Sequence, residues 1–484
     1  MPVRKHTTIK QIFRYMAAAV CAGSLFANSA LMTLADTEDE IQQRWETQRA
    51  MEVQSNQVSG WPTGPIVGAE SAILMEAETG AILYAKNIHT REYPASTTKL
   101  LTTLIASELC EMDEIVTFSR AAVFDTPRDS NHIAMDVGQE LTMEQSLNAI
   151  LIRSANEVSF AVAEHITGTT NWLDFAEMMN TRAAELGCLN SHFVNPNGLP
   201  DEEHYTTAYD LAMIGRAFFA NEMLSKITLT RRLEIPASDK LPQQKLELNQ
   251  MQLIPGAKYA YEYLVGCKTG YTQAARSCLV SCAERNGMKL ICVVMRDEAP
   301  YQYEDTLALY EYGFSNFEKI KVAQSETKYN IDNTGLFYSG NDIFGSSRSL
   351  LSLNRDDYVI LPISASFEDT ESTISYETSN DNQAAVIFYT FQGVPVGSVR
   401  VNYTMGNEDT YVFDSIPGKT STTPPEEKEQ KEPVIYVNKT ILLCIGGGIC
   451  AIVLICFIVH IVTKNYSFSG VGNRRRRRRG RWKR

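Results

Sequence analysis

Three short stretches carry residue types that can act as nucleophile, base or ligand-binding group. In "YPASTTKLLTTLIASEL", residues 93–109, Ser96 and Lys99 stand three apart where a proline-led loop turns into an apolar-periodic helix, so both project from one face. A serine hydroxyl is a poor nucleophile until a base takes its proton, and a lysine with a depressed pKa is such a base. The spacing alone is a weak signal, because "SETK", with Ser325 and Lys328, repeats it. In "SAN" the Ser154 hydroxyl and the Asn156 amide both enter a cleft only if the backbone leaves regular helix there. Ser-x-Asn recurs at Ser146, Ser339 and Ser352 and says nothing by itself. "KTG", with Lys268, Thr269 and Gly270, occurs once and lies on the apolar strand pattern "YLVGCKTGYT". Lys268 and Gly270 share one face of that strand, and the missing side chain at Gly270 lets a ligand approach the backbone.

These residues need a scaffold, and the hydrophobic pattern outlines one. "SAILMEAETGAILYAKN" reads as a β-hairpin around Glu78, Thr79 and Gly80. Helical periodicity dominates from 96 to about 219. "ARSCLVSCAE" and "MKLICVVMR" are then two strands joined through Arg285, Asn286 and Gly287, a strong hairpin signal, and "YEDTLALYEYGFSNFEKI" returns to helix. Strands from both ends of a region with helices between them predict a mixed α/β domain over 66–320. Residues 36–65, polar and then marked by Gly and Pro, read as a linker. Residues 321–415 alternate and lack helical pattern, which predicts a small β-sandwich domain. Residues 416–438 are too polar and proline-rich to pack and read as an extended tether.

The ends differ from the middle in charge. The chain has 484 residues and a net charge of −12, and all 57 acidic residues lie between Asp36 and Glu432. So acidic a body argues against nucleic acid as partner. Residues 1–35 place Arg4, Lys5, Lys10 and Arg14 ahead of a short apolar stretch and small residues, the pattern of a secretory signal peptide. Residues 441–462 are almost wholly apolar, about 33 Å long as a helix, and the segment 439–463 is expected to span a bilayer. The arginine-rich stretch 464–484 behind it sets orientation: the tail is cytoplasmic, against anionic lipid, and the body lies on the extracytoplasmic side. Outside the two ends there are six cysteines, 110, 188, 267, 278, 282 and 292, mostly in apolar runs and expected to be buried free thiols. No His, Cys and carboxylate set has metal-ligand spacing along the chain, so neither metal nor cofactor is expected in the chemistry.

The order Ser-x-x-Lys, Ser-x-Asn, Lys-Thr-Gly is the signature of penicillin-binding proteins and class A β-lactamases. With "AETGAILYAKN", "SANEVSFAVAEHI", "NPNGLPDEEHYTTAYDLAMI", "GCKTGYT" and "YGFSNF" in the same order, the chain resembles the serine-type D-alanyl-D-alanine carboxypeptidases, the low-molecular-mass penicillin-binding proteins. The resemblance implies an antiparallel sheet flanked by helices, an all-helical lobe, and a groove between them. It implies Ser96 as acylated nucleophile and Lys99 as its base. Ser154 would relay a proton to the leaving group, Asn156 would hold the substrate amide, and Lys268 with Thr269 would engage the substrate's terminal carboxylate. Gly270 and Tyr271 complete the substrate-binding strand, the backbone N–H groups of Ser96 and Tyr271 forming the oxyanion hole. The partners implied are peptidoglycan stem peptides and, as acylating inhibitors, β-lactams. Two departures stand out. Asn197 occupies a place where relatives often have His, and Gln302 lies where an Arg is frequent, with Arg276 or Arg296 as candidate substitutes. In "NPNGLPDEEHYTTAYD" a Thr207 to Asp210 helix cap is expected.

Other activities remain open at this level. A β-lactamase needs a glutamate to activate its water, and Glu144 in "EQSLN" fits the pattern but precedes "SAN" instead of following it. Transpeptidase or endopeptidase action shares the acyl-enzyme and differs in the acceptor. A catalytically silent wall-binding receptor would use the same cleft without needing Ser96, Lys99 and Lys268 together.

Overall fold

The apolar runs that begin at Ser71 and at Leu264 pair into one antiparallel sheet of five strands. In a computed structural model that describes residues 37–127, 129–329, 351–378, 380 and 382–403, their order is Ile82–Lys86, Ser71–Glu76, Met288–Asp297, Arg276–Arg285, Leu264–Thr272. The first hairpin thus meets the last strands, with Ala72 opposite Val294 and Leu74 opposite Cys292. Asn286 and Gly287, both at positive φ, close the tight turn between the two long strands, as the Asn-Gly pair requires. Successive residues point to opposite faces, and both faces are buried. Ile73, Val280, Ile291 and Val293 join one core, while Leu74, Leu279, Leu290 and Cys292 join the other. Burial on both sides is why these strands read as continuous apolar runs instead of alternating ones.

Helices divide between the faces. Ala208–Ala220 lies on the first, where Gly215 allows close approach to Val280 and Ile291. That core continues into a helical lobe of Lys99–Leu109, Met143–Arg153, Asn156–Thr167 and Trp172–Glu185. Tyr301–Asn316 covers the other face. All six cysteines outside the ends are free thiols, four of them buried.

Three expectations need correction. Residues 36–65 are not a linker: Glu38–Arg49 is a helix with a Thr37 capping box, and it docks on the domain. Trp45 stacks on Tyr301 at 4.5 Å, Arg44 bonds Glu298 at 2.6 Å, and the buried Lys86 ammonium donates to the Gln48 carbonyl at 2.8 Å. The helix is almost wholly polar, so its sequence carries no apolar stripe to reveal the docking. Trp61, in the same segment, is buried, donates to the Leu83 carbonyl at 2.8 Å, and touches the rings of Phe317 and Phe391. Second, the final helix ends at Asn316, and Phe317–Lys321 crosses to a second sheet by pairing with Tyr358–Pro362. Third, among the described residues the expected sandwich is one six-stranded antiparallel sheet: Phe317–Lys321, Tyr358–Pro362, Val394–Tyr403, Gln383–Phe391, Glu371–Ser375, with Leu351–Leu353 paired to Val394–Tyr403. Its apolar face shares a core with the five-stranded domain through Trp61, Phe317 and Tyr358, whose hydroxyl bonds Glu76 and Glu78 at 2.8 Å each. Alternation announces a one-sided sheet but not what covers it.

Trp61→Ala is therefore expected to cost about 3 kcal/mol, the usual loss for an emptied aromatic site. The denaturation midpoint of the full-length chain measures it. The expected signal segment 1–35, tether 416–438, membrane span 439–463 and basic tail 464–484 lie outside the described residues. No helix among the described residues is long and apolar enough to cross a membrane.

Candidate active site

Ser96 is delivered by a single tight turn. Pro94 ends the incoming chain, Ala95 takes a positive φ of 48°, and Ala95–Thr98 forms one 3-10 turn ahead of helix Lys99–Leu109. Thr97 Oγ1 donates to the Pro94 carbonyl at 2.7 Å, and Thr98 Oγ1 bonds His204 Nε2 at 2.9 Å. His204 is buried, and burial pushes its pKa down to about 3, so the imidazole is neutral and serves as a fixed hydrogen-bonding prop.

The "NPNGLP" loop closes on the same turn. A Cβ at Gly198, φ +83°, would lie 1.8 Å from the Ala95 carbonyl oxygen. Gly198→Ala is expected to cost more than about 3 kcal/mol, because backbone must move as well as adopt a left-handed conformation. Gly138→Ala is the matched control: φ is +79° with open space around it, so only strain of about 1–2 kcal/mol remains. Denaturation midpoints of the two variants compare them directly.

Lys99 has no exposed surface. Its ammonium donates to Ser96 Oγ at 3.0 Å, Asn156 Oδ1 at 2.7 Å and the Asn197 carbonyl at 2.6 Å. Burial, and then the nearby charge of Lys268, hold its pKa well below the ordinary lysine value, with Glu157 opposing. The Ser-x-x-Lys pair is thus a hydroxyl in contact with an amine that is easily kept neutral.

Helix does end between Ser154 and Asn156. Ser154 takes left-handed φ and ψ of 61° and 33°, terminating Met143–Arg153, and Ala155 is extended before Asn156 opens the next helix. The break turns both side chains into the groove. Lys268, also fully buried, donates to Ser154 Oγ at 3.2 Å and to the Thr269 carbonyl at 2.7 Å. Burial pushes Lys268 down to about 7, so it shares the desolvation penalty with Lys99 instead of standing as a fixed cation. A Cβ at Gly270 would fall 3.0 Å from the Ser96 nitrogen and 2.8 Å from the Pro94 carbonyl oxygen. Its absence lets the strand press against the nucleophile turn. Thr269 Oγ1 rests on Met251 Sδ at 3.4 Å, and Tyr271 is 63% exposed at the rim.

A cavity of about 620 Å³ joins these groups. Ser96, Ser154, Asn156, Lys268, Thr269 and Tyr271 all line it, while Lys99 sits beneath its floor. Asp129 is the one carboxylate among the described lining residues. The arginine substitutes expected from sequence are elsewhere. Arg296 pairs with Glu70 at 3.1 Å and, like Arg276, does not line the cavity; Gln302 belongs to the helix behind the sheet. The wall instead carries Arg153, held by Glu247 at 3.1 Å. Its position directly before "SAN", at a helix end, was the available signal. Asn197 contributes its backbone, the carbonyl that fixes Lys99, while its buried Nδ2 has no hydrogen-bond partner. Glu157 was also missed: its carboxylate accepts from the Ile133 N–H at 2.8 Å, and the Asn156 N–H donates to the Asn131 carbonyl, so the second motif holds the 129–133 loop over the groove. The expected Thr207 cap on Asp210 forms, and the Asp210 carboxylate in turn accepts from Leu189, Asn190 and Ser191.

Residues 59–299 match the family model of peptidase S11, D-alanyl-D-alanine carboxypeptidase. The chain is 33% identical over 282 residues to the D-alanyl-D-alanine carboxypeptidase DacF of Bacillus subtilis, covering 54% of this chain and 69% of that relative. It is 30% identical over 263 residues to DacB2 of Mycobacterium tuberculosis, covering 52% and 84%. Among solved structures, penicillin-binding protein 5 from Haemophilus influenzae superposes with a TM-score of 0.55 at 25% identity, over 71% of this chain and 98% of that one.

Proposed function

The chain belongs to the D-alanyl-D-alanine carboxypeptidase family, and we propose that it removes the terminal D-Ala from peptidoglycan stem peptides through an acyl-Ser96 intermediate. It is a serine peptidase with the α/β fold of the penicillin-binding proteins. One observation carries the reading of its site: a fully buried Lys99 amine in contact with both Ser96 Oγ and Asn156 Oδ1, beside a second buried lysine on Ser154.

The steps follow from those contacts. Ser96 Oγ attacks the carbonyl of the penultimate D-Ala while its proton passes to neutral Lys99. The oxyanion forms next to the Ser96 and Tyr271 backbone N–H groups, which the bare Gly270 brings together. The C–N bond then breaks, and Ser154, bonded to Lys268, relays to the departing amine the proton that Lys99 took from Ser96, which returns Lys99 to its neutral form. Asn156, its Oδ1 engaged by Lys99, has Nδ2 left to donate to the substrate amide. Lys268, Thr269 and the unforeseen Arg153 supply the positive and polar wall for the terminal carboxylate. Water completes the cycle by hydrolysing the ester, again with Lys99 as base.

The β-lactamase reading loses further ground, because Glu144 is exposed and is not on the cavity wall. β-Lactams would acylate Ser96 and stay. The charge pattern supports an extracytoplasmic enzyme, exported by residues 1–35 and held by a membrane helix at 439–463 with its arginine-rich tail on anionic lipid. The second sheet and the tether would set the height of the groove above the bilayer.

The test is D-alanine release by the full-length chain from an N-acylated peptide ending in D-Ala-D-Ala, with and without an added amine, alongside labelling by a fluorescent penicillin. Release without amine and a stable adduct are expected. Turnover only with amine would make the protein a transpeptidase, rapid penicillin hydrolysis a β-lactamase, and neither reaction a silent receptor.

A further inference from the structure

The two helices that bring Lys99 and Asn156 together at their N-termini also meet at their other ends. Lys99–Leu109 finishes at Cys110, and Asn156–Thr167 carries His165 in its last turn. Between them the 111–114 turn places Glu114. Its Oε1 accepts from the Glu111 N–H at 2.7 Å, and its Oε2 lies 2.7 Å from His165 Nε2. The Cys110 thiol, the Glu114 carboxylate and the His165 imidazole offer ligand atoms that all lie within 4.8 Å of one another, half-buried and open to solvent. Eleven or twelve helical residues, roughly 16–18 Å, separate this cluster from the catalytic groove.

We propose that Cys110, Glu114 and His165 form a site for a divalent cation of the zinc class, which staples the distal ends of the two catalytic helices. The ligand set is chemically apt: thiolate, imidazole and carboxylate are the three donors that zinc takes, and three protein ligands leave a fourth position for water. Ligand atoms of a tetrahedral zinc stand about 3.3–3.8 Å apart. The observed spread exceeds that by roughly 1 Å, a shift on the scale of side-chain rotation. Placement favours a cation too. Both helices end here, so the partial negative charges of two C-termini converge on the cluster. The carboxylate is held in place by Glu111 and already faces His165. A cysteine binds zinc as its thiolate, so metal binding here would release the thiol proton.

The site is independent of the peptidase reaction: none of its three residues lines the groove. It was invisible along the chain because 51 residues separate Glu114 from His165.

Cobalt(II) is the direct probe, because a thiolate ligand gives it an intense charge-transfer absorption. The full-length, reduced chain is titrated with Co²⁺ and then with Zn²⁺, alongside Cys110→Ser, His165→Ala and, as a control thiol, Cys188→Ser. One equivalent of Co²⁺ should give a thiolate band that Zn²⁺ displaces, with the melting temperature raised in step. Cys110→Ser should abolish the band, His165→Ala should weaken binding by at least about tenfold, and Cys188→Ser should change neither. No thiolate band in the wild-type chain, or a band that survives Cys110→Ser, overturns the proposal. The variants keep Ser96, so penicillin labelling equal to wild type verifies that they are folded.

Discussion

Ser96→Ala in the full-length chain abolishes D-alanine release, lowering kcat/KM by a factor on the order of 10⁴ or more, the scale seen when a covalent nucleophile is removed. Penicillin labelling disappears with it. The melting temperature should stay close to wild type, because Ser96 is only half-buried and its hydroxyl has one side-chain partner, Lys99. The combination matters more than the loss of activity. A folded variant that neither labels nor releases D-alanine identifies the acylated oxygen, whereas one that still labels moves the nucleophile elsewhere. Residual release at a few per cent would mean that the reaction does not pass through an ester on Ser96.

The second large effect concerns Lys268. Wild-type acylation requires Lys99 neutral, so kcat/KM rises as pH climbs through the depressed pKa of Lys99. It also benefits from a protonated Lys268 facing the substrate carboxylate. Burial holds that group near 7, so kcat/KM falls again as pH rises past neutrality. A bell is expected, with limbs that belong to the lysine pair as much as to either member. In Lys268→Ala the like charge beside Lys99 is gone. Burial remains the larger cause of the Lys99 shift, but the rising limb should move to higher pH, the falling limb should vanish, and kcat/KM should drop by roughly 10²–10³-fold. An unmoved rising limb would show that the two lysines do not sense each other and that desolvation alone tunes Lys99. Bound substrate brings a carboxylate to Lys268, so the falling limb of kcat should lie at higher pH than that of kcat/KM.

Several features of the fold were readable because they are local. The Asn286-Gly287 turn, the hairpin after Ser71, the Thr207 cap and the helix that begins behind Pro94 each depend on residues a few positions apart. The helix Glu38–Arg49 was not readable, since what holds it is distant: Tyr301 under Trp45, Glu298 on Arg44, Lys86 on its last turn. The second sheet was legible as strands but not as a single layer, because its covering surface comes from Trp61 and Glu76 far upstream. The cationic wall of the groove failed for the same reason. Arg276 and Arg296 are near the motifs in sequence, yet Arg296 is committed to Glu70, and among the described arginines it is Arg153 that lines the groove.

The contrast between two identical spacings shows where the division falls. Ser325 and Lys328 repeat the Ser-x-x-Lys pattern on a short surface helix and the turn after it, and there Lys328 reaches across solvent-exposed ground to Ser372 Oγ at 3.0 Å. Ser96 and Lys99 have the same separation, but theirs is closed in by Asn156, Asn197, Gly198 and the strand at Gly270. By itself the sequence determined the order of the motifs, the elements that carry them, and hence the family and its reaction. Only the tertiary structure decided which lysine becomes a base, because a lowered pKa comes from removing water on every side, and that takes segments from across the chain.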